Sequence, residues 1–167
     1  MHRWNAYLAA VCFTLMAAGS AYGQEQDHQG QFAARLSAGG AYVQTQSGGS
    51  SAGTPSAIVN LQLSYAPLAW LEIELGASSL PNADYLAAIV AGVRWYYNPM
   101  SFLKVYTSLD ALVPVYPDTG GGVQAEAGVQ YDIGSHFAVY AGGVFAWFMT
   151  PATVLCGGAL AGVQGRL

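Results

Sequence analysis

Charged residues are scarce in this 167-residue sequence, in which Lys, Arg, Asp and Glu together make up 8%, against about 25% in an average soluble domain. So few charges cannot cover the surface of a soluble protein of this length. The five Lys and Arg are outnumbered by nine Asp and Glu, and this net charge of −4 argues against a nucleic-acid partner. Hydrophobic residues make up 53% and aromatic residues 13%, which excludes a disordered chain. The composition therefore favours a membrane protein of one domain.

The first 23 residues have the layout of a secretory signal peptide. A short positive start precedes an apolar stretch at 6–18, and 21–23 (AYG) places small residues two apart before a polar residue. The alternative is an N-terminal membrane helix, but an apolar stretch of about 13 residues is shorter than the ~20 that span a bilayer. We therefore expect cleavage after Gly23, a polar tail over 24–31 that includes His28, and a single domain over 32–167.

Cysteine is nearly absent as well. Of the two cysteines, Cys12 lies in the predicted signal peptide, so the mature chain keeps only Cys156. This excludes an internal disulfide and a metal site built from cysteines. The sequence also shows no Gly-rich phosphate loop and no metal-ligand spacing, and we predict neither a metal nor a cofactor.

Several segments alternate between apolar and polar residues with a period of two. The segments 71–75 (LEIEL), 103–111 (LKVYTSLDA) and 123–131 (VQAEAGVQY) place apolar or small residues at odd positions and most of their polar residues at even ones. A helix would spread the charges around its circumference, whereas a strand places them on one face. Eight such strands are predicted, at about 31–44, 56–65, 70–77, 86–97, 102–113, 122–131, 137–148 and 155–167.

The connections between the predicted strands are alternately tight and long. The tight ones are 66–69, 98–101 and 132–136, the last of which contains Asp132. The longer ones are 45–55, 78–85, 114–121 and 149–154, and they are rich in turn-forming residues. This alternation is typical of an up-and-down series of hairpins.

The charges of the predicted strands all fall on one face, and the other face is apolar. The charged face carries a predicted polar network of Arg35, Glu72, Glu74, Arg94, Lys104, Asp110, Glu126 and Arg166. An apolar outside with a polar inside suits lipid, where a sheet must close on itself because every backbone polar group needs a partner within the protein. We predict an all-β fold, an eight-stranded antiparallel up-and-down transmembrane β-barrel, since eight tilted strands of about ten residues match a bilayer.

Aromatic residues cluster at the ends of the predicted strands, where barrels carry belts of rings at the two membrane interfaces. The predicted interface aromatics are Tyr65, Trp70, Trp95, Tyr97, Phe102 and Tyr131 at the tight-turn ends and Trp147 at a long-loop end.

This pattern resembles the small eight-stranded outer-membrane β-barrels of Gram-negative bacteria over residues 31–167. The resemblance implies location in the outer membrane after export, tight turns facing the periplasm, contact with outer-membrane lipid, and insertion by the barrel-assembly machinery. Members of the family usually end in an aromatic residue that this machinery recognises, and here Leu167 takes its place.

The interior of an eight-stranded barrel is just wide enough to be filled by side chains, and buried charges persist only when paired. We therefore expect a plugged, non-conducting barrel that stabilises the envelope or joins other envelope proteins in a larger assembly. A narrow passage for small solutes or hydrophobic compounds is the alternative. The family also includes lipid-A-modifying enzymes with a His and a nearby Ser on a strand, but Ser135 and His136 fall in a predicted turn. We accordingly predict no enzymatic activity.

Overall fold

The computed structural model describes residues 28–47, 50–81, 86–99, 101–116, 120–149 and 152–167. These residues form β1 (Phe32–Ser47), β2 (Ser50–Leu68), β3 (Leu71–Leu80), β4 (Leu86–Tyr96), β5 (Leu103–Tyr116), β6 (Gly121–Ile133), β7 (Phe137–Met149) and β8 (Thr153–Arg166). Each strand pairs antiparallel with the next, and β8 pairs with β1 to close the barrel. The predicted eight-stranded antiparallel β-barrel is confirmed. The predicted signal peptide lies outside the described residues.

None of the described ranges contains a helix long and apolar enough to cross a membrane.

The strands are staggered as well as closed. Following cross-strand partners from Arg35 once around the barrel leads back to Thr45, ten residues further along β1. A stagger of this size tilts the strands relative to the barrel axis. Residues at one height therefore shift by slightly more than one position from each strand to the next, and this relation decides which side chains meet inside.

The barrel is polar inside and apolar outside in the half nearest the tight turns. On β3, Glu72 and Glu74 are 3% and 1% exposed, whereas Ile73 and Leu75 are 51% and 59% exposed. Every Lys, Arg, Asp and Glu side chain that the structure describes is buried. Because a soluble protein has the opposite arrangement, this distribution is that of a barrel surrounded by lipid.

All four connections predicted to be long are shorter than expected; the one at 78–85, for example, begins only after β3 ends at Leu80. The predicted loop at 45–55 is mostly strand, because β1 runs to Ser47 and β2 starts at Ser50. Similarly, strand residues extend into both ends of the predicted loop at 114–121 and into the one at 149–154. These stretches are polar, proline-containing or glycine-rich and show little alternation, so their pairing is set by the hairpins that they continue rather than by burial of one face.

Candidate functional site

The residues of the predicted polar network lie in the lumen. All eight are at most 4% exposed: Arg35, Glu72, Glu74, Arg94, Lys104, Asp110, Glu126 and Arg166. They do not form one cluster, however. Five of them make a central network, Lys104 and Arg166 lie near the tight turns, and Asp110 forms no ion pair with a described residue.

The central network joins side chains from β1, β3, β4 and β6. The Arg35 guanidinium donates to Glu72 through Nη2 and to Glu74 through Nη1. Arg94 donates from Nε to Glu74 Oε1 at 2.7 Å, and its Nη2 lies 3.5 Å from Glu126 Oε2. The contacts of Arg35 link β1 with β3 and the contact with Glu126 links β4 with β6, so the network joins strands that are not neighbours in the sheet. Pairing of this kind is what allows charges to remain buried.

Two inward-facing tyrosines enclose Arg94. Its guanidinium carbon lies 4.1 Å from the centroid of the Tyr106 ring and 5.4 Å from that of Tyr140, within the range of cation–π attraction. The Tyr106 hydroxyl donates to Glu126, so the ring both contacts a cation and supports its carboxylate partner.

Glycines on β6 and β7 make room for the Tyr106 ring. A Cβ atom at Gly128 or at Gly142 would lie 2.8 or 2.9 Å from the Tyr106 hydroxyl oxygen. Both glycines face the lumen, and a Cβ there would approach the backbone of the neighbouring strand, at Ala141 O or Ala127 O, even more closely. The abundance of glycine in this barrel thus has a packing role as well as a conformational one.

Asp132 was wrongly assigned to the turn at 132–136. β6 continues to Ile133, and the Asp132 side chain is buried on the inner face. Its carboxylate lies 2.7 Å from Lys104 Nζ and accepts from Arg166 Nη2 at 2.9 Å. The physical reason is that pairing of β6 with β7 continues to this position, which turns Asp132 into the lumen, where it pairs with buried cations from β5 and β8.

His28 closes the mouth of the lumen at the tight-turn end. Its Nε2 lies 2.8 Å from Asp132 Oδ2, and the residue is only 4% exposed. Backbone hydrogen bonds hold this segment against β2, from Gly30 N to Ala66 O and from Ala66 N to Gln31 O. Gly30 has a φ of +82°, which glycine adopts readily, so the chain can turn back under the barrel. The end of the predicted polar tail is thus part of the lumen.

Burial lowers the pKa of His28 below its usual value near 6.5; Arg166 and Lys104 act in the same direction, while the hydrogen bond to Asp132 opposes them. The folded barrel therefore keeps a neutral imidazole at pH values where the unfolded chain takes up a proton. We expect the free energy of unfolding to fall as the pH decreases below about 6.5, because the unfolded state then binds more protons. Urea unfolding of the wild type and of His28→Asn at a series of pH values checks this, since the variant should lose this part of the pH dependence.

His136→Asn is the matched control for this titration, because His136 is exposed in the turn after β6. It should keep the decrease seen in the wild type. A pH dependence in His28→Asn equal to that of the wild type would contradict the assignment of the decrease to His28.

The loop-side half of the lumen is apolar, and the polar interior expected along the whole lumen is limited to the other half. The inward-facing residues of this apolar layer are at most 4% exposed: Val43, Ile58, Leu80, Val90, Leu112, Ala146, Phe148, Cys156 and Leu160. The sequence contains a signal for it, because 86–91 (LAAIVA) and 144–148 (VFAWF) are apolar at odd and even positions alike. Such a run is expected where both faces of a strand are shielded from water. Here lipid covers the outer face and packed side chains cover the inner face.

The predicted interface aromatics lie on the outer surface near the strand ends. Five of them are exposed (Tyr65, Trp70, Tyr97, Phe102 and Trp147), and Trp95 and Tyr131 are half-buried. At the tight-turn end, the ring centroids of Phe32 and Tyr65 are 4.8 Å apart and those of Phe102 and Tyr131 are 5.6 Å apart. Paired rings at this level form the kind of belt that positions a barrel at a membrane interface.

Several solved structures share this architecture. The crystal structure of Neisserial surface protein A (NspA) matches with a TM-score of 0.66 and 18% identity over 83% of this chain and 100% of that one. The N-terminal β-barrel domain of Pseudomonas aeruginosa OprF matches with a TM-score of 0.55 and 12% identity over 83% and 100% of the two chains. The chain has the fold of the small eight-stranded outer-membrane barrels.

The outer membrane protein OprG from Pseudomonas aeruginosa is a further match, with a TM-score of 0.52 and 10% identity over 86% of this chain and 99% of that one. At these identities the likeness shows the fold alone, and the roles of individual residues must come from the chain itself. No protein-family model matches the sequence, and a sequence comparison with curated proteins gives no match.

Proposed function

We propose that the protein is a non-conducting outer-membrane barrel with a structural or interaction role. It stabilises the envelope or serves as a membrane-embedded subunit of a larger assembly with other envelope proteins. The observation that carries this proposal is that side chains block the lumen at two heights, by different means. The proposal includes no catalytic step.

The first barrier is the central ionic network. Arg35 and Arg94 reach partners on other strands, and their carboxylate partners are shared. A solute could pass only if several buried ion pairs separated at once. Breaking a buried pair costs about 3–5 kcal/mol, so spontaneous opening at this height is rare.

The second barrier is the apolar layer on the loop side. Ile58, Val90, Leu112 and Phe148 are at most 2% exposed and belong to one cluster of buried apolar side chains inside the barrel. Water and ions gain no hydrogen bonds from such side chains, and hydrophobic constrictions close pores by excluding water. The lumen therefore remains closed on this side even where the ionic network fluctuates.

The outer surface supports a location in a lipid bilayer. Exposed Leu, Ile and Val side chains cover it between the two sets of aromatic rings, and outer-membrane lipid is the partner that they fit. We propose that the barrel-assembly machinery inserts the chain, in line with the fold. A subunit role adds an envelope protein as a second partner.

Planar-bilayer recording of the purified barrel tests the proposed closure. We expect no defined conductance steps from the wild type or from Phe148→Ala, since the ionic network of this variant is intact. Reproducible single-channel steps from the wild-type barrel would contradict the proposal and favour a passage for small solutes. Purification from native membranes in mild detergent distinguishes a structural role from a subunit role. A subunit should copurify with a stoichiometric partner, whereas a barrel that acts alone should not.

A further inference from the structure

The carboxylates of the lumen outnumber the cations that they can pair with. In the central network, Glu72, Glu74 and Glu126 share only Arg35 and Arg94. The other described cations, Lys104 and Arg166, pair with Asp132 near the tight turns. Asp110 lies on the loop side of the central network. It adds a further carboxylate to a region where carboxylates already outnumber cations.

Asp110 is buried without an ionic partner. It is 1% exposed, and no described Lys, Arg or His nitrogen lies within 4.0 Å of it. Its Oδ2 accepts a hydrogen bond from Ser108 Oγ at 3.3 Å, and its Oδ1 has no partner. An unpaired buried carboxylate is costly enough that it must be neutralised in some way.

Other unpartnered oxygens lie at the same height as Asp110. Gln124 faces it directly across the β5–β6 ladder, and neither its Oε1 nor its Nε2 has a partner. The stagger of the strands brings Asn60 of β2 to within about one residue of this height, and its Oδ1 is also unpartnered. Gln124 and Asn60 are 1% and 2% exposed. On the other side of Asp110 is Gly92, and Asp110 Oδ1 lies in the space that a Cβ atom of Gly92 would fill.

One carboxylate oxygen and two amide oxygens make the donor set that hard cations prefer. The described residues contain no group of three or more His, Cys, Asp or Glu that could hold a metal ion. The donor set at Asp110 is of a different kind, because two of its three oxygens belong to amides. Arg94 Nη1 is also unpartnered and belongs to the adjacent network. A water molecule between Arg94 and Asp110 is therefore the competing explanation for both orphaned groups.

We propose that the lumen binds one hard, oxygen-preferring cation at Asp110, with Gln124 Oε1 and Asn60 Oδ1 as further ligands. The ion neutralises the excess acid between the central network and the apolar layer. Because both barriers enclose the site, the ion enters as the barrel folds and exchanges slowly afterwards. This site is independent of the proposed envelope role.

The test is folding of the purified barrel from urea into detergent micelles at equal ionic strength in choline chloride, NaCl or CaCl2. We expect Na⁺ or Ca²⁺, relative to choline, to raise the folding equilibrium constant, by about 100-fold when the ion is present at 100 times its Kd. Asp110→Asn should abolish this increase. Asp132→Asn, which removes a paired carboxylate, should keep it despite lower stability.

Gln124→Met keeps the size of the side chain but removes the amide oxygen, and it should weaken the cation effect if Asp110→Asn fails to fold. Equal folding of the wild type in all three salts would overturn the proposal. In that event, an Asp110→Asn barrel as stable as the wild type would show that Asp110 carries a proton. A strongly destabilised one would indicate pairing with Arg94. A cation effect that survives in Asp110→Asn would place the ion elsewhere and equally overturn the assignment.

Discussion

Replacing Glu74 with Ala lowers the free energy of unfolding by about 3–5 kcal/mol, because the carboxylate is the shared partner of two buried guanidinium groups. Arg35 and Arg94 both donate to Glu74 Oε1, and all three side chains are completely buried. Without the carboxylate, the lumen holds two cations close together with fewer acceptors. Equilibrium urea unfolding of the refolded barrel, followed by tryptophan fluorescence, measures the loss.

Ile73→Ala is the matched control for Glu74→Ala on the same strand. Ile73 points outward and is 51% exposed, so its truncation changes contact with detergent or lipid and leaves no buried charge. A loss below about 1 kcal/mol for Glu74→Ala, which is the range of an exposed ion pair, would show that the network is hydrated and does not close the lumen.

Leu61→Arg is expected to cost about 2–4 kcal/mol in lipid vesicles, since this is the cost of an arginine on the lipid face near the bilayer midplane. Leu61 is 58% exposed, and it pairs with Leu36 on one side and Ala77 on the other. It lies seven residues before the end of β2 at Leu68, about 17 Å above the tight-turn end for tilted strands. Unfolding by urea in vesicles, with the wild type beside it, gives the difference.

Gln46→Arg places the same charge on an exposed residue near the loop end of β1. Its cost should be close to zero, because the penalty for a charge falls to about 0–1 kcal/mol at the membrane interface. Equal costs for Leu61→Arg and Gln46→Arg would mean that the position of Leu61 is not within the hydrocarbon.

The number of strands could be predicted from the sequence, and charges mark the face that points to the lumen on every strand except β2 and β7. On β3, the acids at 72 and 74 alternate with apolar residues, and one register alone keeps both charges out of the lipid. The same constraint explains how the fold is shared with NspA at 18% identity. A closed barrel needs alternation and tight turns but few particular residues.

The grouping inside the lumen could not be predicted in the same way. Asp132 lies at the end of β6, next to turn-forming residues, and only its contacts with cations from β5 and β8 show that it faces inward. His28 reaches the lumen through a backbone turn outside the barrel, so no strand periodicity applies to it. A carboxylate is paired only if a cation from another strand lies at the same height along the barrel axis. These heights follow from the stagger of the strands rather than from any local sequence pattern.

The apolar layer was missed for a different reason. Where both faces of a strand are apolar, as in 86–91, alternation disappears and the inner face cannot be distinguished from the outer. Val90 and Ile89 have similar side chains, yet the first is fully buried and the second is 48% exposed. Only closure of the sheet separates the two environments.

The arrangement of apolar side chains toward lipid and polar ones toward the lumen is tested most directly by spin labels at adjacent positions of one strand. Leu61→Cys and Gln62→Cys, in a background with Cys12→Ser and Cys156→Ala, place labels on opposite faces of β2 in vesicles. We predict that lipid-soluble oxygen relaxes the label at 61 strongly and a water-soluble nickel complex does not, whereas the label at 62 is shielded from both. Strong relaxation of the label at 61 by the nickel complex, or of the label at 62 by oxygen, would contradict a lipid-facing outside and a closed polar lumen.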